Sequence, residues 1–159
     1  MFARPFIDSL DFARRGEEIH GEVPVAELPR LNDMLASPEG EISYVLRGLS
    51  GKDGKPQLEL SLDGVCILRC QRCLNGLNYP VKLVSKLRLV SDWDESDVDD
   101  DEMDSIPVDK HLDVLSLLEE EMLLSLPIAP KHAMGECQFA AEGLARPENP
   151  FAVLAGLKK

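Results

Sequence analysis

The middle of the chain carries the clearest hydrophobic pattern. Ile42, Tyr44 and Leu46 alternate with Ser43, Val45 and Arg47, and Leu58, Leu60 and Leu62 alternate with Gln57, Glu59 and Ser61. Period two marks strands with one buried face. The chain runs on through Val65 and Ile67 and returns as Val81, Leu83, Leu87 and Leu89, with the loop Ser50 to Lys55 joining the first two runs. These segments predict an antiparallel meander of at least three strands. Pro80 marks a strand start or an edge.

The flanks read differently. Asp8 is suited to N-cap a short helix within 5–16, with Arg14 and Arg15 in its last turn and Gly16 as its stop. Ile19 to Val25 is extended. Pro29 opens a second short helix in which Leu28, Leu31 and Leu35 recur at helical spacing. The strongest helix starts after Asp113 and continues from Val114 to Leu126, where Pro127 ends it. On a wheel of about 100° per residue, Val114, Leu115, Leu117, Leu118, Met122, Leu124 and Leu126 fill a wide arc. Glu119 and Glu120 fall at or beyond its edges, whereas Glu121 projects within it, making Glu121 a candidate buried acid. It would serve a structural pair with an arginine such as Arg88, or a metal or partner site. Asn149 and Pro150 open a last short helix, 150–158, carrying Phe151, Val153, Leu154 and Leu157. The expected fold is α+β: an antiparallel β meander or partly open barrel packed with a long C-terminal-half helix and short flanking helices.

Composition narrows the functional classes. At 159 residues and 44% hydrophobic content the chain is expected to form a single domain, 1–159, with a substantial core. An aromatic share of only 5% argues against a broad stacking platform for single-stranded nucleic acid. Net charge is −12 but uneven. Residues 64–90 hold Arg69, Arg72, Lys82, Lys86 and Arg88 with no acid, while 92–104 hold nine acids and no base. The acidic run is expected to be a solvated, flexible loop suited to a basic partner. The five cations form the candidate surface for RNA or another partner, since phosphate neutralisation needs clustered Lys and Arg. The mixed charge of Met1 to Arg15 is not what a signal peptide is expected to show, and no run reaches the roughly 18 apolar residues of a membrane span. A cytoplasmic location is expected.

Four cysteines in such a setting are ligands, catalysts or fillers rather than disulfides. Cys70 and Cys73, spaced Cys-x-x-Cys ahead of Asn75-Gly76, could supply two ligands of a zinc tetrahedron from one turn. Cys66 lies roughly 13 Å back along a strand at about 3.3 Å per residue, too far to join them. His132 and Cys137, in a turn-rich segment nearly sixty residues later, are the candidates to complete a one-zinc site. Plain reduced thiols and a redox loop are the alternatives. The redox reading lacks the helix N-terminus that usually lowers a thiol's pKa, although Arg69 and Arg72 stand nearby. A hydrolase built on Cys137 and His132 lacks an orienting group. His20 and His111 are isolated and read as surface or packing residues.

Three stretches together resemble one family: Cys70-Gln-Arg-Cys73-Leu, then Asp113 to Pro127 with His132 and Cys137 after it, and finally Asn149-Pro-Phe-Ala-Val-Leu. In order and separation they are similar to the bacterial YceD family, the large ribosomal RNA subunit accumulation proteins, over roughly residues 5–158. The resemblance implies a cytoplasmic, non-enzymatic factor in synthesis, processing or stability of the 23S ribosomal RNA, with no catalytic residues to carry over. It implies the large-subunit RNA or a pre-ribosomal particle as partner, with no membrane or small-molecule substrate. The charge pattern adds a basic ribosomal protein as a second partner. An acidic binding module or chaperone for such a protein, and a Cys-x-x-Cys thiol oxidoreductase, are the competing functions.

Overall fold

The computed structural model describes residues 3–91 and 103–137, with 151, 154 and 156. In chain order the elements are β1 (Phe6–Ile7), α1 (Ser9–Arg15), β2 (Glu18–Pro24), β3 (Leu35–Ser37), β4 (Glu41–Ser50), β5 (Pro56–Arg69), β6 (Gly76–Val90), β7 (Asp104–Pro107), β8 (Leu112–Asp113) and α2 (Val114–Ser125). Most of the acidic run and most of the C-terminal helix expected at 150–158 lie outside the described residues. Asp104, placed in the acidic loop by composition, instead opens β7.

The meander is as the alternation requires. Strands β4, β5 and β6 pair antiparallel, with Tyr44 opposite Leu62 and Leu62 opposite Leu83. Ile42, Leu46, Leu58, Leu60, Leu62, Cys66, Leu68, Val81 and Leu87 share the buried face. Each fully buried leucine there contributes about 1.5–3 kcal/mol relative to exposure. Val65 and Ile67 belong to the other face, and Val65 is exposed.

The sheet does not close into a barrel. Its order is β2-β4-β5-β6-β7, with β3 pairing the far end of β5. Strand β7 runs parallel to β6, so the sheet is mixed. Among the described residues, strands β2 and β7 are the opposite edges, each pairing with one neighbour. Pro80 lies inside β6 rather than at its start, facing Val65. Strand β7 pairs with Leu87 to Val90, so among the described residues no second strand at Pro80 calls on the missing N–H.

Helix α1 has the predicted caps: the Asp8 carboxylate accepts from the Asp11 N–H at 3.1 Å, and Gly16 closes it in the left-handed region. The second short helix is not formed. Val25–Glu27 and Pro29–Leu31 make two separate 3-10 turns, and Leu35 begins β3. Pro29, lacking an N–H, cannot continue one turn into the next, yet Leu28 and Leu31 reach the core.

Helix α2 covers the same sheet face, but its buried arc is rotated from the expected one. The arc runs from Leu117 round to Glu119, which is 2% exposed, and Leu124 falls outside at 73%. A backbone donor meets the buried Glu119 carboxylate. Its Oε1 accepts the Arg30 N–H at 3.1 Å, tying α2 to the second 3-10 turn. Glu121 is buried in α2, and Arg88 of β6 is buried on the opposite face of the sheet. At the start of α2, Asp113 accepts from the Leu115 N–H at 3.0 Å and from the Ser116 N–H at 3.3 Å. Its other oxygen accepts from Arg4 Nε at 2.9 Å. The two-residue pairing of β1 with β8 anchors the N-terminal segment at the same point.

Burial alone would raise the Asp113 pKa, but the Arg4 guanidinium and the Ser116 amide and hydroxyl outweigh it and hold the carboxyl below its ordinary value. A depressed folded-state pKa stabilises the fold above the unfolded value near 3.9 and stops doing so as pH falls through the folded value. Asp113→Asn is therefore expected to be less stable than the parent in urea at neutral pH, with the difference vanishing toward pH 3. A pH-independent difference would contradict this. Glu119→Ala should cost about 1–3 kcal/mol in the same assay, because the Arg30 N–H loses its acceptor, whereas Glu119→Gln should cost less.

Candidate metal centre

Three backbone devices shape the turn between β5 and β6. The Cys70 N–H donates to the Asn75 carbonyl at 3.0 Å, and the Leu74 N–H donates to the Cys70 carbonyl at 2.9 Å. Leu74 takes a left-handed backbone, φ 63°, which turns the chain back toward Gly76. That conformation strains a residue with a Cβ, and the Leu74 side chain is 66% exposed, so the core does not demand it.

A second segment, 130–137, is laced onto this turn. The Gln71 N–H donates to the Pro130 carbonyl at 2.9 Å. Arg72 Nη2 donates to the His132 carbonyl and, at 3.5 Å, to that of Ala133. His132 Nε2 lies 3.0 Å from the Gly76 carbonyl. A carbonyl can only accept, so Nε2 carries the proton, and in the neutral ring Nδ1 presents a bare lone pair.

That lone pair faces sulfur. Cys73 Sγ is 3.4 Å and Cys137 Sγ 3.8 Å from His132 Nδ1, and Cys70 Sγ is 3.8 Å from Cys137 Sγ. All four donor atoms lie within 4.8 Å of one another. At a Zn–S bond of about 2.3 Å, the edge of a tetrahedron is about 3.8 Å. The spacing is therefore that of ligands around one ion, and far beyond the roughly 2.05 Å of a disulfide. The donor set, three sulfurs and one imidazole nitrogen, is a zinc set.

Electrostatics prepare the site further. Desolvation works against a Cys70 thiolate, but the backbone N–H groups of Cys73, His132 and Arg72, followed by the Cys73 thiol, outweigh it and bring the Cys70 pKa down to about 5. Burial, then the sulfurs of Cys70 and Cys73, push the Cys137 thiol up. Cys70 is fully buried. A thiolate that solvent cannot reach suits a ligand better than a nucleophile. Cys66 stands apart in the core, its thiol raised by burial.

The structure thus brings together Cys70, Cys73, His132 and Cys137 but does not gather the five candidate cations. Arg69 and Arg72 lie at the turn, where Arg69 Nη2 donates to the Leu35 carbonyl at 3.1 Å and Arg72 braces the His132 segment. Lys86 and Arg88 lie at the other end of the hairpin, roughly 40 Å away along β6 at about 3.3 Å per residue. Lys82 stands between, opposite Asp63, and Lys86 is opposite Glu59 with its Nζ 3.8 Å from that carboxylate. Sequence reading missed Gly76 as the group that orients His132. A backbone carbonyl carries no residue-type signal. Among the described residues, no helix is long and apolar enough to cross a membrane.

The comparisons with known proteins converge on the same segments. A family model described as "Large ribosomal RNA subunit accumulation protein YceD" matches residues 58–158, which includes all four donors. A Haemophilus influenzae protein of that description is 26% identical over 170 residues, covering 96% of this chain and 94% of its own. No solved structure matches. A match running from β5 through the cysteine turn and its closing segment to the C-terminal stretch makes this chain a member of the YceD family.

Proposed function

We propose that the chain is a ribosome biogenesis factor that supports synthesis, processing or stability of 23S ribosomal RNA, and that Cys70, Cys73, His132 and Cys137 hold one zinc ion as a structural clasp within it. Family membership carries the functional half of this reading. The clasp rests on four donors at tetrahedral spacing. Four protein ligands close the coordination sphere and leave no position for a substrate, so the ion supplies cross-linking and not Lewis-acid chemistry. The protein then acts by binding, in the cytoplasm, and not as an enzyme. Its RNA- or particle-facing surface is the outer side of the β5–β6 hairpin, where Lys82 and Lys86 stand across from Asp63 and Glu59, together with Arg69 and Arg72 at the clasp, while Arg88 is too buried to take part directly.

The net charge of −12 favours a second reading, in which the chain chaperones a basic ribosomal protein. Capture of large-subunit components that survives ribonuclease would favour this second reading, and capture lost on ribonuclease treatment would favour RNA.

Anaerobically purified protein is expected to contain about one zinc per chain by elemental analysis, and Cys70→Ser and Cys137→Ser each to lose most of it with a large loss of thermal stability. Metal-free parent protein of unchanged stability would remove the clasp. In cells lacking the protein, the ratio of 23S to small-subunit ribosomal RNA should fall, and Cys70→Ser should restore it poorly. An unchanged ratio in the deletion strain would refute the biogenesis role whatever the metal content.

A further inference from the structure

The described helices α1 and α2 both pack into the core on one face of the sheet. On the other face, the ladder registers set side chains in rows across four strands. One row, from β2 through β4 and β5 to β6, is Glu18, Arg47, Glu59 and Lys86. Two residues along comes His20, Val45, Ser61 and Val84, and after it Glu22, Ser43, Asp63 and Lys82. Glu18, Glu22, Lys82 and Lys86 at the ends of the charged rows are exposed, and Val84 between them is 64% exposed.

The charges of this face are ordered. Along the first row they alternate, negative, positive, negative, positive, and the chain already pairs Arg47 with Glu18 and, at 3.8 Å, Lys86 with Glu59. The third row begins with an acid on β2 and ends with a base on β6. A row of this kind is its own complement when its order is inverted. A two-fold axis parallel to the strands makes that inversion, since it lays the face on a second copy with rows kept and strand order reversed. Glu18 then meets Lys86 of the second copy, Arg47 meets Glu59, Glu22 meets Lys82, and the middle row sets Val84 on His20. An axis at right angles to the strands does the reverse. It lays the first row on the third, with Glu18 on Glu22, Glu59 on Asp63 and Lys86 on Lys82, and like charges suppress that arrangement.

We propose that this outer face binds a second copy of the chain, as a two-fold dimer whose axis runs along the strands. At the inclination of about 30° usual for packed sheets, an edge strand shifts by about 4 Å along its partner, a distance that Lys and Glu side chains span. Four strands about 4.8 Å apart make the face about 20 Å wide, and the three rows with their flanking positions run about 25 Å. A footprint of about 500 Å² per copy lies at the lower limit of specific interfaces, so the dimer is weak and reversible. The net charge of −12 opposes association of copies, which leaves local complementarity to drive it. The inference goes beyond the ribosomal role. Because the dimer covers Lys82 and Lys86, it is the form of the protein that has not met the partner proposed above.

Full-length protein is followed by sedimentation equilibrium from about 5 to 500 µM in about 150 mM salt. The parent should pass reversibly from monomer to dimer within this range. Glu22→Lys and Lys82→Glu should each weaken association by roughly tenfold or more, since each sets like charges face to face at two symmetry-related places. Glu22→Lys also makes the chain less acidic, so general repulsion between copies would change association in the opposite direction. The double variant Glu22→Lys/Lys82→Glu keeps the parental net charge and should regain the parental constant to within about threefold, as should an equimolar mixture of the two single variants. Both positions are exposed, so all variants should keep the parental circular dichroism spectrum. A parent that stays monomeric throughout, a dimer that neither single variant weakens, or weakening that neither the double variant nor the mixture repairs overturns the proposal.

Discussion

The register between β5 and β6 is the constraint on which the molecule depends. The ladder runs from Gln57 opposite Arg88 to Arg69 opposite Gly76. A slip of one residue would turn Leu58, Leu60, Leu62, Cys66 and Leu68 outward and bring Glu59 and Asp63 into the core. No pairing shifted in that way could bury enough apolar surface. The same register decides where function can reside. It brings Cys70 and Cys73 to one end of the hairpin as a closed turn, and it places Arg88 beside Gln57 at the other. One aliphatic pattern thus fixes where the cysteine cluster and the Gln57–Arg88 pair stand, at opposite ends of the hairpin.

At the clasp end, the fold must connect segments about sixty residues apart in the chain. Bringing such distant pieces together carries a loop-closure cost, and the backbone bond from Gln71 to Pro130 and the Arg72 guanidinium bonds to the His132 and Ala133 carbonyls offset part of it. They also pre-set the donors. The Gly76 carbonyl fixes the His132 ring, and the amides of Cys73, His132 and Arg72 stabilise a Cys70 thiolate before any ion arrives. A thiolate cradled by amides, with the Cys137 sulfur 3.8 Å away and the bare Nδ1 of His132 in the same cluster, is a set of donors that could hold a metal ion.

Much of this was legible where the signal is local. Alternation located β4 to β6, Asp8 and Asp113 announced the helix caps, and Cys-x-x-Cys with a later His and Cys pointed to four side chains that the fold gathers at one end. What stayed hidden depends on contacts between distant segments. Nothing near residues 104–107 says that they pair parallel with Leu87 to Val90, and two-residue strands such as β1 and β8 are too short for any period. Glu119 looked like a residue at the edge of the helix because a wheel cannot contain the Arg30 N–H that receives its carboxylate. The basic run 64–90 read as one patch because linear counting omits the cross-strand neighbours Glu59 and Asp63, and because a long hairpin separates what the sequence holds close.

That last discrepancy bears on how an acidic chain can meet an anionic partner. Net charge governs the approach, since the field of the whole molecule acts over a Debye length of about 8 Å at physiological salt and then fades. With a charge of −12, the long-range term opposes nucleic acid. Among the described residues the short-range field has no single sign either, because Glu18 stands against Arg47, Glu59 against Lys86 and Asp63 opposite Lys82 on the outer face of the sheet. Under the reading proposed above, an anionic partner would meet single cations at close range and not a continuous basic surface.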